Sequence, residues 1–457
     1  MPIATTDPTT GEVEKIFDPH SAGEVEDRLA AAEAAVAALR ATSFAQRAEW
    51  MRAAADLLEA DLAEVAPLLT TEMGKPIAAA RAEVHKCAKA MRFYADRAET
   101  FLADEVADPA AVGASRAFAR YEPLGVVLAV MPWNYPLWQV VRFAAPALMA
   151  GNAGLLKHAS NVPQAALYLD TLFARGGFPD GAFSTLLVGS SQVAGLIADP
   201  RVRAVTLTGS EPAGREVAGT AGRHLKKVVL ELGGSDPFIV MPSADVPEAA
   251  RVAALARTAN NGQSCIAAKR FLVHTGVYDE FVAAYVAAMA ALRVGDPRDE
   301  ATDVGPIATR GGRAELAELV GDALARGARA LTGGAVPDGP GWFYPPTVLE
   351  GVTPAMRLHL EEAFGPVAAV YRVRDADEAV ALANATTFGL SSSVWSADPA
   401  EQRRFTADLQ AGAVFLNGMT VSYPELPFGG IKDSGHGREL SAVGIREFCN
   451  LKTIWQA

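Results

Sequence analysis

The sequence has few cysteines and no grouping of metal-binding residues. Its 457 residues include three cysteines, Cys87, Cys265 and Cys449, which lie far apart. An odd number of isolated cysteines argues against a disulfide framework and suits a reducing compartment, so we expect a cytoplasmic protein. The seven histidines show none of the spacings of zinc ligands. We therefore expect no metal site.

The sequence also lacks long apolar runs and an excess of positive charge. No run of about 18 apolar residues is free of charged or helix-breaking residues, so no membrane-spanning helix is expected. Residues 1–11 have neither a basic start nor an apolar centre, so no secretory signal is predicted. The formal net charge of -12 would repel nucleic acids and anionic membranes. These absences favour a globular protein without nucleic-acid or membrane partners.

Helical and strand-like segments alternate along the chain. Residues 22–105 carry apolar residues at helical spacing. Beyond them, helical segments separate short apolar ones, which in chain order are GVVLAVMP, GLLKH, STLLVG, AVTLTG, KKVVLELGG, DPFIVM, RFLVH, FYPPTVLE and GAVFLN. This alternation predicts an α/β fold with two doubly wound parallel-sheet domains, joined near residues 230–236. A chain of this length is expected to have more than one core.

Two of the predicted strand ends offer groups that suit a nucleotide. In VTLTGSEPAGREVAG a strand, a glycine turn and a helix follow one another, so the backbone N–H groups of Gly209 and Ser210 are placed to bind a pyrophosphate. Lys157 ends the GLLK strand, where its ammonium group can meet a ribose or a phosphate. Neither feature is specific, because Ser210 also suits a helix N-cap and a lysine after a strand is often solvated.

Five motifs carry a family resemblance. They are MPWNYPLW (131–138), LELGGSDPFIV (230–240), NNGQSCIAAKR (260–270), EEAFGPV (361–367) and LPFGGIKDSGHGREL (426–440). In this order and approximate spacing they resemble the aldehyde dehydrogenase superfamily over essentially the whole chain. The runs LKHASNVPQ and NGQSCIAAKRF are similar, more narrowly, to the bacterial NAD(P)-dependent succinate-semialdehyde dehydrogenases.

The resemblance implies an architecture and an assembly. Residues 1–104 and 124–232 are expected to form a nucleotide-binding domain and residues 233–433 a catalytic domain. Residues 105–123 and 434–457 are expected to form a small β arm for oligomerisation. In the family such an arm extends the sheet of a partner subunit, so we expect a homodimer or a homotetramer.

The resemblance also assigns catalytic residues. Cys265 is expected to add to an aldehyde carbonyl, because the resulting alkoxide can expel hydride to a nicotinamide. The side chain of Asn134 and the backbone N–H of Cys265 are expected to stabilise the oxyanion. Glu231 resembles the general base that hydrolyses the thioester, and its apolar neighbours are expected to raise its pKa. Cys87 and Cys449 are expected to be core residues.

For the cofactor, the resemblance implies contacts from the nicotinamide to the adenosine ribose. The residues are Trp133, Asn134, Lys157, Ser160, Gly209, Ser210, Leu232, Glu362 and Phe364. Members that prefer NAD often have a glutamate at the position of Ser160, which would repel a 2'-phosphate. Since Ser160 is neutral and Lys157 is nearby, we expect NADP to be accepted and preferred, with NAD still possible.

On the substrate side, the resemblance implies a pocket for a small aldehyde that carries a carboxylate. Such a pocket requires cationic and hydroxyl donors. Arg142 and Ser422 match the positions of such donors in the succinate-semialdehyde dehydrogenases, and Trp138 is expected to line the same pocket. The expected reaction is the oxidation of succinate semialdehyde to succinate with NAD(P)+.

Several alternatives stay open at this point. A second arginine expected in this pocket is replaced by Ala259, so the pocket is incomplete unless Lys269 or Arg270 compensates. Arg142 also suits an interface or surface ion pair, and the aromatic residues, Trp138 among them, also suit an apolar or aromatic aldehyde. A cysteine hydrolase would use the same nucleophile without a nucleotide. A non-catalytic protein is disfavoured, because the three expected catalytic residues are all present.

Overall fold

The computed structural model describes residues 2–457. The strands are β1 (Ile3–Asp7), β2 (Glu12–Phe17), β3 (Glu105–Val106), β4 (Arg116–Pro123), β5 (Val126–Val130), β6 (Ala153–Lys157), β7 (Phe183–Thr185), β8 (Val202–Thr208), β9 (Lys227–Glu231), β10 (Pro237–Val240), β11 (Arg270–His274), β12 (Arg329–Thr332), β13 (Thr347–Glu350), β14 (Val367–Val373), β15 (Ser392–Trp395), β16 (Val414–Leu416), β17 (Gly435–His436) and β18 (Cys449–Gln456). The α-helices are α1 (Ala22–Arg40), α2 (Phe44–Ala60), α3 (Leu62–Met73), α4 (Ile77–Phe101), α5 (Trp138–Met149), α6 (Pro163–Arg175), α7 (Val193–Ala198), α8 (Glu211–Arg223), α9 (Val246–Thr258), α10 (Tyr278–Ala290), α11 (Arg310–Ala325), α12 (Arg357–Leu360), α13 (Ala376–Asn384), α14 (Pro399–Asp408) and α15 (Ser441–Glu447).

The first domain is built on a six-stranded sheet in the order β17-β9-β8-β5-β6-β7. All neighbours are parallel except β17, which runs antiparallel to β9. The chain adds β6 and β7 on one side of β5 and then returns to add β8 and β9 on the other side. The order therefore reverses between β5 and β8, and ligands bind at the carboxyl edge of such a reversal.

Helices cover this sheet because its strands are apolar on both faces. In β5 the residues Val126–Ala129 are buried, and every residue of α5 behind it is buried too. Helices α2, α3 and α4 contribute the alanine, leucine and methionine side chains of the same core. The first of the N-terminal helices, α1, begins at a capping box in which Ser21 and Glu24 satisfy each other's backbone N–H groups.

The second domain is built on a seven-stranded sheet in the order β12-β13-β14-β11-β10-β15-β16. Only β12, antiparallel to β13, departs from parallel pairing. Because side chains alternate between the faces of a strand, Phe238 and Val240 enter one core and Ile239 the other. Residues 232–236 connect β9 directly to β10, so the carboxyl edge of the first sheet meets the amino edge of the second.

A third sheet stands apart from these two. It has the order β18-β4-β3 with antiparallel pairing, and β18 pairs with β4 from Cys449 to Gln456. The arm segment expected at residues 434–457 begins later in the structure, at residue 449. Strand β17 belongs to the six-stranded sheet, and Leu440 and Ile445 are buried in the first core. The two residues are apolar and would lose this burial in an exposed arm.

The expected α/β fold with two parallel-sheet domains is confirmed. Sequence periodicity did not reveal the hairpin β1–β2, in which most residues of β2 are exposed. It also predicted no strands at β14 and β15, although both are largely buried and lie between other strands of the sheet. None of the helices in residues 2–457 is both long and apolar enough to cross a membrane.

Candidate active site

The loop before β11 has an unusual backbone that presents Cys265. A short 3-10 turn covers Ala259–Gly262, and within it Asn260, Asn261 and Gly262 have φ values of 56°, 59° and 72°. These left-handed conformations are costly for residues other than glycine, so side-chain contacts must hold them. At Gly262 a side chain is excluded, because an added Cβ would lie 2.4 Å from the carbonyl carbon of Gly365.

The polar side chains of the loop supply those contacts. The Nδ2 of Asn261 donates to the carbonyl oxygens of Gly74 (2.8 Å) and Pro306 (3.0 Å). The Oε1 of Gln263 accepts the backbone N–H of Ala308 at 2.9 Å. These bonds tie the loop to segments from elsewhere in the fold. The polar residues of the motif NNGQSCIAAKR therefore rigidify the backbone before Cys265.

On its other side, Cys265 is held by a lysine. The Nζ of Lys269 donates to the carbonyl oxygens of Ser264 (2.9 Å) and Cys265 (2.7 Å) and forms an ion pair with Glu362 at 2.9 Å. The segment that joins the two sheets packs against the same carbonyl, since a Cβ on Gly234 would lie 2.7 Å from the Cys265 oxygen. The nucleophile therefore sits where the two domains meet.

Burial controls the protonation of this thiol. It raises the pKa of Cys265 to about 12, while the positive charges of Arg142 and Lys269 lower it. The thiol accordingly keeps its proton at neutral pH in the ligand-free protein. A thiolate forms only when a base or a bound ligand changes this environment.

Asn134 and the backbone of Cys265 provide donors beside the nucleophile. Asn134 is 4 % exposed, and its Nδ2 donates to the carbonyl oxygen of Gln263 at 3.0 Å. An amide nitrogen carries two protons, so one N–H remains after this bond. The Cys265 backbone N–H has no acceptor in the described chain. Asn260 fixes the position of Asn134 by donating to its carbonyl oxygen at 2.7 Å.

Glu231 is a buried carboxyl group without a hydrogen-bond partner. It ends β9, is 2 % exposed, and neither of its carboxyl oxygens is paired within residues 2–457. Burial raises its pKa well above the usual range, the charge of Glu439 raises it further, and Arg142 and Arg438 oppose the rise. An unpaired buried carboxyl group is costly. The structure therefore leaves it free for a water molecule or a ligand.

The residues expected at the nicotinamide lie around the same junction. The rings of Trp133 and Phe364 meet edge to face, with centroids 5.7 Å apart. Leu232 follows Glu231 directly and is buried, with its backbone N–H donated to Ser434 at 3.0 Å. Glu362 is half-buried and forms an ion pair with Lys269. These positions suit an aromatic and apolar wall beside the thiol.

The structure leaves fewer backbone donors for a pyrophosphate than the sequence suggested. The backbone N–H of Gly209 is donated to the carbonyl oxygen of Glu231 at 3.0 Å, so it is not available to a phosphate. Ser210 is exposed at the N-terminus of α8, and its side chain makes no capping bond. The helix N-terminus and the Ser210 hydroxyl remain as donors for an anion.

The carboxyl end of β6 carries a lysine without a counter-charge. Lys157 is 8 % exposed, burial lowers the pKa of its ammonium group, and no carboxylate of the described chain pairs with it. Ser160 follows in a half-buried loop, where its carbonyl oxygen accepts the N–H of Ala4 from β1. An unpaired buried ammonium favours an anionic ligand, and Ser160 follows it by three residues. These residues fit a 2'-phosphorylated ribose.

The structure corrects the role expected of Arg142. Its guanidinium is 2 % exposed, forms an ion pair with Glu439 and lies over the ring of Phe428 at 4.6 Å. Its charge is therefore neutralised within the chain and is not open to a substrate carboxylate. Lys269 and Arg270 do not compensate. Lys269 holds the loop and Glu362, and Arg270 donates to three backbone carbonyl oxygens.

Trp138 and Ser422, by contrast, lie together. The Nε1 of Trp138 donates to the Ser422 Oγ at 3.1 Å. Lys86 of α4, which the sequence analysis passed over, donates to the same oxygen at 2.7 Å. A lone lysine at a helical position looks like a surface residue, so no sequence signal marked it. Within residues 2–457, no cluster of three or more His, Cys, Asp or Glu side chains is placed to hold a metal ion.

Comparisons with known proteins show which family the chain belongs to. The aldehyde dehydrogenase family model matches residues 1–454. The chain is 64 % identical to the succinate-semialdehyde dehydrogenase [NADP(+)] 1 of Mycobacterium tuberculosis strain H37Rv, with 100 % of both chains covered. It is 63 % identical to the succinate-semialdehyde dehydrogenase [NADP(+)] of Mycobacterium avium strain 104, covering 100 % of this chain and 97 % of the relative.

Solved structures show the same fold. The succinic semialdehyde dehydrogenase from Streptococcus pyogenes, in complex with NADP+, superposes with a TM-score of 0.96 at 36 % identity, over 99 % of both chains. The succinate-semialdehyde dehydrogenase from Burkholderia pseudomallei superposes with a TM-score of 0.96 at 35 % identity, over 99 % of this chain and 94 % of the other. The chain thus belongs to the aldehyde dehydrogenase family.

Proposed function

We propose that this protein oxidises succinate semialdehyde to succinate with NADP+, through a thioester on Cys265. The observation that carries the proposal is the pair of free donors, from Asn134 and from the Cys265 backbone, beside a half-buried thiol. The 64 % identity to relatives named for this substrate and cofactor supports the choice of both.

The chain's own residues account for the covalent steps. The Cys265 thiolate adds to the aldehyde carbon, and the Asn134 amide and the Cys265 N–H stabilise the oxyanion. NADP+, when bound, accepts the hydride that leaves this carbon. Glu231 then takes a proton from the water that attacks the thioester, and the C–S bond breaks to release succinate and the Cys265 thiolate. Its raised pKa makes the ionised carboxylate a stronger base for this step.

The nucleotide site is proposed from the carboxyl edge of the six-stranded sheet. Lys157 and Ser160 bind the 2'-phosphate and the ribose, Ser210 at the start of α8 binds the pyrophosphate, and Trp133 and Phe364 flank the nicotinamide. Because Lys157 lacks a carboxylate partner, a phosphate gains more from it than a hydroxyl does. NAD+ is therefore a weaker cofactor in this proposal.

We also propose a homodimer or homotetramer assembled through the β arm, here residues 105–123 and 449–457. Strand β18 lies at the edge of its sheet, and Leu451 and Trp455 are exposed on it. An exposed apolar edge strand favours pairing with another chain. A cytoplasmic location belongs to the same proposal, since a catalytic thiol must stay reduced.

The function is tested by initial rates with succinate semialdehyde, butanal and benzaldehyde, each with NADP+ and with NAD+. The proposal predicts that kcat/KM for succinate semialdehyde exceeds that for butanal by about tenfold or more, which corresponds to about 1.4 kcal/mol per tenfold. It also predicts a higher kcat/KM with NADP+ than with NAD+. A preference for butanal or benzaldehyde would contradict the proposed substrate, and full turnover without nucleotide would indicate a hydrolase.

A further inference from the structure

A hydroxyl group on the substrate side of the site is surrounded by donors. The Ser422 Oγ accepts the ammonium N–H of Lys86 at 2.7 Å and the indole N–H of Trp138 at 3.1 Å. The Lys86 Nζ also lies 4.3 Å from the centre of the Trp138 ring. These three side chains come from α4, from α5 and from the segment before β17.

This cluster has more donors than acceptors. An ammonium group has three N–H bonds, and Lys86 uses one of them on Ser422. The Ser422 Oγ accepts two bonds, and its own proton has no acceptor in the described part of the protein. Two ammonium protons and one hydroxyl proton are therefore available at one place. A ligand with several acceptor oxygens would satisfy them.

The charges around the cluster also favour a ligand with acceptor oxygens. Lys75 pairs with Glu83, and Arg142 pairs with Glu439. Lys86 has no carboxylate partner in the described chain. Burial, and after it the neighbouring Arg142 charge, lowers the pKa of Lys86 to about 8. A buried cation that its own chain does not neutralise favours an anionic ligand.

The cluster lies beside the catalytic residues. The Oε1 of Glu83, on the same helix as Lys86, accepts the backbone N–H groups of Leu137 (2.8 Å) and Trp138 (2.9 Å) at the start of α5. Helix α5 begins four residues after Asn134, as the numbering shows. The Arg142 charge lowers the pKa of both Lys86 and Cys265. Lys86 is therefore held against the start of α5, close in sequence to Asn134 of the site.

We propose that Lys86, together with the Ser422 hydroxyl, binds the carboxylate of succinate semialdehyde. Lys86 thus supplies the positive charge that the sequence led us to expect from Arg142. Arg142 instead neutralises Glu439, whose charge acts on the Glu231 carboxyl group. The inference rests on the proposed function, because it concerns the carboxylate of that substrate.

The test is the substitution Lys86→Met, which keeps most of the side-chain volume and removes the charge. We expect kcat/KM for succinate semialdehyde to fall by about 10- to 100-fold, the usual effect of losing a hydrogen bond to a charged group. For butanal, which has no carboxylate, we expect a change of about twofold or less. Lys86→Arg should recover part of the loss for succinate semialdehyde.

Lys89→Met is the matched control. Lys89 lies on the same helix, is exposed and pairs with Glu425 at 3.3 Å, so both rates should stay unchanged. Product binding gives a second readout that does not depend on turnover of the charged substrate. Succinate should inhibit butanal oxidation by the native enzyme, and Lys86→Met should raise its inhibition constant by a similar factor.

Three other outcomes would contradict different claims. If the native enzyme prefers succinate semialdehyde and Lys86→Met lowers both aldehyde rates equally, Lys86 has a structural role and the inference is wrong. If Lys86→Met keeps the preference for succinate semialdehyde and its inhibition by succinate is unchanged, another group binds the carboxylate. If the native enzyme itself shows no preference for succinate semialdehyde, the proposed function fails before Lys86 is involved.

Discussion

Buried cationic side chains are paired with carboxylates at the centre of the site but not at its two ends, which are expected to bind the substrate carboxylate and the nucleotide. Near Cys265, Lys269 pairs with Glu362 and Arg142 pairs with Glu439. Towards the expected substrate carboxylate, Lys86 has no carboxylate partner, and at the end of β6 Lys157 has none either, within residues 2–457. All of these cations are wholly or largely buried, yet only those at the centre are neutralised by the chain.

This difference separates groups that organise the site from groups that recognise ligands. At the centre, fixed ion pairs hold the nucleophile loop and set the field around the thiol without any ligand. At the ends, an unpaired ammonium is costly until an anion arrives. We therefore associate paired cations with catalysis and unpaired cations with binding of the substrate carboxylate and the 2'-phosphate.

The largest expected effect is at the centre, with Cys265→Ala. Removing the nucleophile removes the covalent route, so we expect dehydrogenase activity to fall by about 10⁴-fold or more. The control is Cys449→Ala, since that half-buried cysteine lies at the start of the arm strand β18. Its variant should keep near-native activity. Comparable losses in both variants would contradict the assignment of Cys265.

The next largest effect is expected at Glu231, and it separates the formation of the thioester from its hydrolysis. With Glu231→Gln, acylation of Cys265 proceeds but the thioester is hydrolysed slowly, so we expect kcat to fall by about 10²- to 10⁴-fold. Rapid-mixing experiments should still show a burst of about one reduced nucleotide per active site. A variant without a burst would show that Glu231 acts before the thioester forms.

At the nucleotide end, Lys157→Met should change cofactor choice rather than chemistry. We expect the KM for NADP+ to rise by about 10- to 100-fold, because the 2'-phosphate loses a charge-assisted bond, while the KM for NAD+ changes little. Lys227→Met, at the exposed start of β9, is the control. Equal effects on both nucleotides would mean that Lys157 contacts only the shared ribose.

The smallest effect is a pH dependence at the substrate end. The pKa of Lys86 is about 8, set by burial and then by Arg142, Cys87, Glu83 and Lys75. A lysine binds a carboxylate only when protonated, so the ratio of kcat/KM for succinate semialdehyde to that for butanal should fall as pH rises from 7 to 9. The expected fall is about tenfold at most. Because both aldehydes need Cys265, its ionisation cancels from the ratio.

The sequence predicted the fold well because burial on both faces of parallel strands leaves continuous apolar runs. The motif around Cys265 likewise marked a loop whose polar side chains hold its backbone. Contacts between distant parts of the chain could not be predicted in this way. Nothing in the sequence near Arg142 indicates that Glu439 neutralises it. Nothing near Gly209 indicates that its N–H is donated to the backbone carbonyl oxygen of Glu231.

Lys86 was missed for a related reason. Helix α4 carries one other lysine, the exposed Lys89, and composition does not distinguish it from Lys86. Its role emerges only from the absence of a counter-charge and from its bond to Ser422, a residue distant in the sequence. A buried lysine can be assigned to binding only after the charges of all its spatial neighbours have been counted.

The most direct test of the central claim compares Lys86→Met and Lys157→Met in one set of assays, each with two aldehydes and two nucleotides. We predict that Lys86→Met loses the preference for succinate semialdehyde and keeps that for NADP+, whereas Lys157→Met loses the preference for NADP+ and keeps that for succinate semialdehyde. If both variants lose both preferences together, the two lysines do not act as separate anion sites and the account is wrong.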